Sequence, residues 1–348
     1  MARSLYRPDP ILRHQARPID RTTPPAQAAA RLRAGERLIL TDAFSTGVSI
    51  LGQLRVLMPA PAEGAGYVAR RAHRRAWREA SEHLLAPITG HQIALSAAPE
   101  IGFIPQLYPD HRSFALPFAD VQALSNAWTW YDRGVHLAVL GHRVHPFYGT
   151  YAPARTSHLE LFATWLSQHK GPRGRAIDVG TGCGVLALML CKAGYSDVLA
   201  TDCNPNAIES VQRELLRLPS RPPLTLRHGD LLGGTTKRVD LVVFNPPWTK
   251  GEVESPLDRA LYFDDEKIFE RFFDQASVQL TPKGRVVVLF SNIMELVQPD
   301  VPHPLKVELE RGRFKLVQKL TRKVKPPSRD GRKRKTRERV EIWEFEIV

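Results

Sequence analysis

The stretch from Arg175 to Leu190, RAIDVGTGCGVLALML, constrains the fold of this chain more than any other. Ala176, Ile177 and Val179 form a short apolar run of β character. Gly180, Gly182 and Gly184 break it at once, and Val185, Leu186, Leu188, Met189 and Leu190 resume as a buried helix. The pattern is strand, glycine turn, helix. Glycines suit the turn because they reach positive φ and let the backbone come close to a ligand, and the helix N-terminus beyond offers unpaired N–H groups. We therefore read the loop as a ligand cradle.

Glycine loops also bind dinucleotides, so the spacing matters. Here it is G-x-G-x-G, with Thr181 inside it and an acid, Asp178, in the preceding strand, whereas a pyrophosphate on a helix end goes with G-x-G-x-x-G. The next strand, Asp197 to Thr201, ends in Asp202, placed to accept hydrogen bonds from a ribose diol at the tip of the second strand. A third, Leu224 to Arg227, leads to Asp230, and a fourth, Asp240 to Phe244, leads into Asn245, Pro246, Pro247 and Trp248.

Acids at the ends of successive strands, followed by NPPW, resemble the class I S-adenosylmethionine-dependent methyltransferases, over the chain from about residue 148 to residue 348. The resemblance implies an enzyme with an α/β fold: a Rossmann-like, seven-stranded, mostly parallel sheet with helices on both faces. It implies S-adenosyl-L-methionine as cofactor, with Asp178, Gly180, Thr181, Gly182 and Gly184 at the methionine end, Asp202 at the ribose and Asp230 at the adenine amino group. The segment YAPARTSHLEL is similar to the element preceding the glycine loop in amino-methyltransferases, which makes Arg155 and Thr156 further cofactor candidates. Thr156 or Ser157 equally reads as the N-cap of a helix from His158 to His169, with Glu160 as a partial capping box.

NPPW carries the reaction type. In family members that methylate a nitrogen attached to a planar π system, the residues matching Asn245 and Pro246 accept hydrogen bonds from the NH2 group. The residues matching Pro247 and Trp248 complete the motif, the indole offering a flat face to a base or amide plane. Such a nitrogen is a poor nucleophile because its lone pair is delocalised, and holding both N–H bonds in polar acceptors favours a more tetrahedral, more reactive amine. The sulfonium already activates the methyl group, so positioning and electrostatics do most of the work.

The rest of the chain is read around this half. We expect residues 1 to 35, rich in Arg, Pro and Ala, to be a poorly ordered lead-in, residues 36 to 147 to be a mixed α+β substrate-recognition domain, and residues 148 to 348 to be the methyltransferase domain. In the middle segment Arg37 to Leu40 and Gln53 to Leu57 look like strands. Ala65 to Leu85 looks helical, with Ala69, Ala72, Ala76, Trp77, Ala80 and Leu84 inward and Arg70, Arg71, Arg74, Arg75 and Arg78 outward. That basic face reads either as a phosphate contact or as a solvated helix surface. Gly134 to Val144 reads as a strand pair around a glycine turn, with His136, His142 and His145 as structural histidines and no metal site.

Cys183, Cys191 and Cys203 lack CxxC spacing and read as packed, reduced thiols. No apolar run approaches the ~20 residues that span a bilayer, so no membrane partner is expected and the cytoplasm is the default location. A final antiparallel pair is expected at Phe314 to Val324 and Val340 to Ile347. It is joined by the basic run Lys325 to Arg339, read as a phosphate-gripping arm or a solvated loop.

A formal net charge of +13 favours a polyanionic partner, and we expect an exocyclic base amine of RNA as substrate. Two other readings stand beside it. One is N5-methylation of a protein glutamine, usually carried by NPPY. The other is a non-catalytic nucleic-acid-binding protein that keeps the fold, against which the intact clamp argues. The target residue and the oligomeric state are not written in these motifs.

Overall fold

A computed structural model describes residues 4–62, 65, 67–153, 155–253, 256–265, 267–324 and 337–348. The chain falls into two compact units, one of residues 7–129 and one of residues 1–6 with 130–348.

In the larger unit the chain runs α1 (Ser157–Gln168), β1 (Arg175–Val179), α2 (Val185–Lys192), β2 (Asp197–Asp202), α3 (Pro205–Arg217), β3 (Leu224–His228) and β4 (Val239–Phe244). It continues through α4 (Ile268–Gln279), β5 (Leu280–Ser291), β6 (Phe314–Lys323) and β7 (Arg339–Ile347). The seven strands pair in the order β3-β2-β1-β4-β5-β7-β6, parallel from β3 to β5, with β7 antiparallel to both of its neighbours. Alternation along the strands builds a core on each face. Ala176, Leu241, Val243, Val287 and Leu289 pack with α1 and α2, while Ile177, Val242, Phe244, Val286 and Val288 pack with Phe269, Phe272 and Phe273 of α4. The expected Rossmann-like α/β architecture is the one observed. Asn204 caps α3: its Oδ1 accepts from the Asn206 amide at 3.0 Å, with Pro205 in the first helical turn.

The smaller unit is mixed α+β. Arg17–Ile19, Leu38–Leu40 and Leu84–Thr89 run parallel, and Ser113–Pro117 and Gln92–Ile93 pair antiparallel with the last of them. Three local expectations give way here. The stretch expected to be a poorly ordered lead-in holds a strand at Arg17–Ile19 and a helix at Pro25–Arg33, whose Ala28, Ala29 and Leu32 are fully buried. Proline at the first helical position and helically spaced small residues are enough to dock it against the helix Phe44–Leu57. Gln53 to Leu57 is the end of that same helix and not a strand; Ile50, Leu51 and Leu54 are buried at helical spacing, which a short apolar run read alone does not reveal. In the helix Tyr67–Ser81, Trp77 and Ala80 turn inward and Arg70, Arg74 and Arg75 outward as expected, but Ala69, Ala72 and Ala76 are exposed and Arg71 and Arg78 half-buried, and Leu84 opens the strand Leu84–Thr89 instead of continuing the helix.

The hairpin around Gly141 forms as expected, Val135–Leu137 against His142–Val144. Of the basic run from Lys325 to Arg339, residues 325–336 lie outside the described residues. No helix among the described residues is long and apolar enough to cross a membrane.

Candidate functional site

The sheet order reverses between β1 and β4, where a parallel sheet leaves a crevice beyond its carboxyl ends. The glycine loop leaves β1 there and NPPW leaves β4. Val179 pairs with Phe244, so the two motifs depart from neighbouring strands at the same level, with strands about 4.8 Å apart.

Gly180, Gly182 and Gly184 all have positive φ, at 64°, 55° and 83°. At Gly184, the cap of α2, a Cβ would come within 2.9 Å of Val211 on α3, so packing as well as conformation demands glycine. Gly182 differs: a Cβ there would meet nothing within 4 Å, so the loop turns an open face outward at this residue. Its amide donates to Asp202 Oδ2 at 2.9 Å, and the Thr181 amide donates to the Thr201 carbonyl at 2.9 Å, which ties the loop to the tip of β2. Asp202 Oδ1 accepts from the Asn204 amide at 2.8 Å. Burial raises the Asp202 carboxyl above its usual pKa, and each oxygen keeps a lone pair beyond its backbone donor.

Asp178 is fully buried on β1. Its Oδ2 accepts from the Thr181 hydroxyl at 2.7 Å and from the Ala187 amide of α2 at 3.0 Å, whereas Oδ1 has no partner. Burial, only partly offset by those bonds, pushes its pKa up to about 7. A buried carboxylate oxygen without a donor beside an open backbone cradle and a diol-accepting acid fits an amino-acid ammonium joined to a nucleoside. The residues present therefore fit the methionine and ribose portions of S-adenosyl-L-methionine.

The raised pKa has a consequence with a definite sign. A carboxyl at about 7 when folded and near 3.8 when unfolded leaves the folded state binding more protons, so stability falls as pH rises through that window. Between pH ~5.5 and ~8 the cofactor-free protein is expected to lose about 2 kcal/mol, most of it below pH ~7. Asp178→Asn should remove most of that dependence in urea titrations at the two pH values. An unchanged dependence would contradict a buried, titrating Asp178.

Just beyond β4, Asn245 is half-buried and Pro246 buried, with Pro247 and Trp248 half-buried. Trp248 Nε1 donates to Asn245 Oδ1 at 3.2 Å and to the Leu289 carbonyl of β5 at 3.3 Å. The indole packs against both core clusters and meets the His158 ring edge-on at 5.7 Å. Trp248 is thus held by its ring edge between Asn245 and β5, a constraint beyond the flat stacking face expected of it. Burial lowers the pKa of His158 to about 4, so the ring is neutral at neutral pH. Sequence reasoning missed His158 because it sits within a helix that reads as core.

The remaining candidates are drawn into other contacts. Asp230 is exposed, and its Oδ2 is held by Arg271 at 2.5 Å, leaving Oδ1 for any adenine contact. Arg155 pairs with Glu338 at 3.0 Å, and the Thr156 hydroxyl donates to Glu160 at 3.0 Å. Thr156 is the N-cap position of α1 but makes no side-chain cap bond: its backbone is helical, at φ −108° and ψ −3°, where a capping residue is extended, and its hydroxyl donates to Glu160, which also pairs with Arg322. Ser291 and Asn292 at the end of β5 hold the start of β7: Ser291 Oγ donates to the Arg339 carbonyl at 3.0 Å, and Asn292 Oδ1 accepts from the Arg339 amide at 2.7 Å. His145 is structural, its amide and Nδ1 both 3.0 Å from Glu214 Oε2. Cys183 is buried with its thiol pushed up to about 12, whereas Cys203 is exposed and so is not packed as expected.

Residues 157–298 match the family model described as Methyltransferase small domain. A protein of Methanocaldococcus jannaschii provisionally named as a protein N5-glutamine methyltransferase is 26% identical over 38% of this chain and 71% of its own length. A tRNA1(Val) (adenine(37)-N6)-methyltransferase of Porphyromonas gingivalis is 29% identical over 32% of this chain and 48% of its own. A ribosomal protein L11 methyltransferase of Exiguobacterium sibiricum is 38% identical over 20% of this chain and 22% of its own. The chain therefore spans about half or less of the length of two of these relatives.

Proposed function

We propose that this chain, a class I S-adenosylmethionine-dependent methyltransferase whose residues 157–298 belong to the methyltransferase small domain family, methylates an exocyclic base amine of RNA. The observation that carries the reading is the departure of the glycine loop and NPPW from neighbouring strands at the same sheet edge. Bound there, the cofactor would supply a methyl group already activated by its sulfonium. The Gly180 to Gly184 loop, Asp178 and Asp202 would hold it, with Asp230 at the adenine edge.

Asn245 Oδ1 and the Pro246 carbonyl would accept the two N–H bonds of the substrate amine and aim its lone pair. The indole N–H of Trp248 fixes which way the Asn245 amide faces. A carbonyl oxygen has two lone pairs, so one bond from Trp248 at 3.2 Å leaves the second for substrate. Trp248→Phe should therefore lower kcat by about tenfold, the worth of one orienting hydrogen bond, and change KM less. Steady-state kinetics at saturating cofactor separates the two parameters. A raised KM with unchanged kcat would make Trp248 a stacking surface alone.

The net charge of +13 and the relative that methylates tRNA adenine support RNA. The M. jannaschii relative supports the second reading, N5-methylation of a protein glutamine, which uses the same acceptors on another planar amide. The recognition domain expected at residues 36–147 corresponds to the compact unit of residues 7–129, which takes in most of the expected lead-in and leaves residues 130–147 to the larger unit; in this account the smaller unit selects the substrate. Incubation with methyl-labelled cofactor and separate RNA, DNA and protein fractions tests the choice: label in RNA supports the proposal, and label confined to protein overturns it in favour of glutamine.

A further inference from the structure

The last rung of the β6–β7 hairpin breaks the charge pattern of the rungs below it. Along the hairpin, cations of β6 meet carboxylates: Lys315 Nζ lies 2.9 Å from Glu346, and Lys319 Nζ lies 2.9 Å from Glu341. Arg322 pairs with Glu160 of α1 at 2.7 Å, and Arg155 with Glu338 at 3.0 Å. At the final register position, however, Lys323 stands directly opposite Arg339. Both are exposed, as is Arg337. Like charges directly across an antiparallel pair, with Cβ atoms about 5 Å apart, destabilise it. No carboxylate among the described residues pairs with Lys323, Arg337 or Arg339. Glu341, two residues along the same face from Arg339, is already taken: Oε1 meets Lys319, and Oε2 accepts from Trp343 Nε1 at 2.8 Å.

The position of this rung ties it to the crevice. Because β7 runs antiparallel to β5, its first residues lie at the carboxyl edge of the parallel strands. One strand holds both the clamp and the cations. The Leu289 carbonyl of β5 accepts from Trp248 at 3.3 Å, and two residues on, Ser291 and Asn292 hold the Arg339 backbone. Two residues of a strand span about 7 Å. Asn292 Nδ2 also donates to the Arg337 carbonyl at 3.3 Å, and the Val324 amide to the Glu338 carbonyl at 3.1 Å, so the cations stand on a fixed backbone.

We propose that Lys323 and Arg339, with Arg337 beside them, form a phosphate-binding site for the RNA strand that carries the target base. An anion between the two opposed cations removes the repulsion that the fold itself leaves in place. The guanidinium fork suits the paired oxygens of a phosphodiester, and the lysine adds a point charge. A base held in the clamp leaves its own backbone at the crevice rim, where this site is placed to grip it. Edge strands carry lysines to block pairing with other chains, which accounts for Lys323 on β6 but not for Arg339 on β7, a strand paired on both sides. The proposal deepens the RNA reading of the methyltransferase and rests on it for the polymer's identity, but binding at the site is measurable without turnover.

The test uses the full chain, short fluorescein-labelled single-stranded RNA and fluorescence anisotropy across a salt series. Lys323→Gln combined with Arg339→Gln should weaken RNA binding about tenfold at ~0.1 M salt and flatten the slope of log affinity against log salt by about 1.4, or about 0.7 for each phosphate contact. Lys323→Arg combined with Arg339→Lys keeps both charges and should keep the slope. The matched control, Lys283→Gln combined with Arg221→Gln, removes the same charge from the opposite edge of the sheet: Lys283 lies near the start of β5, Arg221 precedes β3, and both are exposed. It should leave the slope at its wild-type value. Circular dichroism checks that each variant is folded. A wild-type slope in the Lys323 and Arg339 double variant overturns the site, whichever fraction accepts methyl label. So does equal flattening by the two glutamine pairs, which would mark the general field of a chain with net charge +13. Weakened binding of poly-glutamate with unchanged RNA binding would assign the cations to an acidic protein partner and overturn the proposal as well. Methyl label confined to protein, with the RNA slope lowered in the site variant alone, overturns the RNA-methylation reading and supports the site.

Discussion

Asn245→Ala is expected to lower methyl transfer by about a hundredfold or more at saturating cofactor, because a positioned polar group aligned on the reacting centre is worth about 3 kcal/mol in the transition state. Cofactor affinity should stay within about twofold, since Asn245 leaves β4 and the cradle is built by β1 and β2. The fold should survive the change. Trp248 Nε1 keeps its second acceptor, the Leu289 carbonyl at 3.3 Å, and the half-buried amide is replaced by a smaller apolar group. Single-turnover kinetics with preformed enzyme–cofactor complex isolates the effect from binding. A loss of cofactor affinity without loss of rate would make Asn245 a structural cap and remove the chief support for N-methylation.

Asp202→Ala and Gly182→Val are expected to weaken cofactor binding by roughly tenfold to a hundredfold each, the range of one to two hydrogen bonds to a charged group. They act by different routes. Removal of the Asp202 carboxylate takes away the ribose acceptor and also frees the Gly182 and Asn204 amides that it holds at 2.9 and 2.8 Å. Valine at position 182 puts a β-branched side chain at φ 55°, a strained conformation, on the open face of the loop. Calorimetric titration with the demethylated cofactor product measures both, and thermal unfolding without ligand checks that the sheet is intact. Unchanged affinity in both variants would withdraw the cradle assignment.

Much of the larger unit was legible because its signals are local. Strand, glycine turn and helix occupy consecutive residues, and each acid sits next to the strand that presents it, so order along the chain predicts order in the sheet. The cap at Asn204 and the hairpin at Gly141 are of the same kind. The smaller unit was less legible because its elements are defined by what they pack against. Gln53 to Leu57 is helical only with Ile50 and Leu51 counted, and Pro25–Arg33 is ordered only because Ala28 and Leu32 find a partner helix. In the helix Tyr67–Ser81, Trp77 and Ala80 turn inward as patterning predicts, but Ala69, Ala72 and Ala76 are exposed and Arg78 is half-buried. At the site, residue identities were visible but pairings were not. Periodicity does not reveal that Trp248 donates to Asn245, that Arg271 takes one oxygen of Asp230, or that His158 packs edge-on to the indole.

The central claim is that NPPW presents a planar amine to an activated methyl group. Its most direct test is the identity of the methylated atom: RNA that accepts label from the wild-type enzyme, digested to nucleosides and resolved by mass spectrometry against N-methyl standards, with Asn245→Ala as the matched control. The account predicts label on an exocyclic base nitrogen, reduced about a hundredfold in the variant. Label on a ring carbon, on the ribose or on a phosphate, or equal labelling by the two proteins, would contradict it.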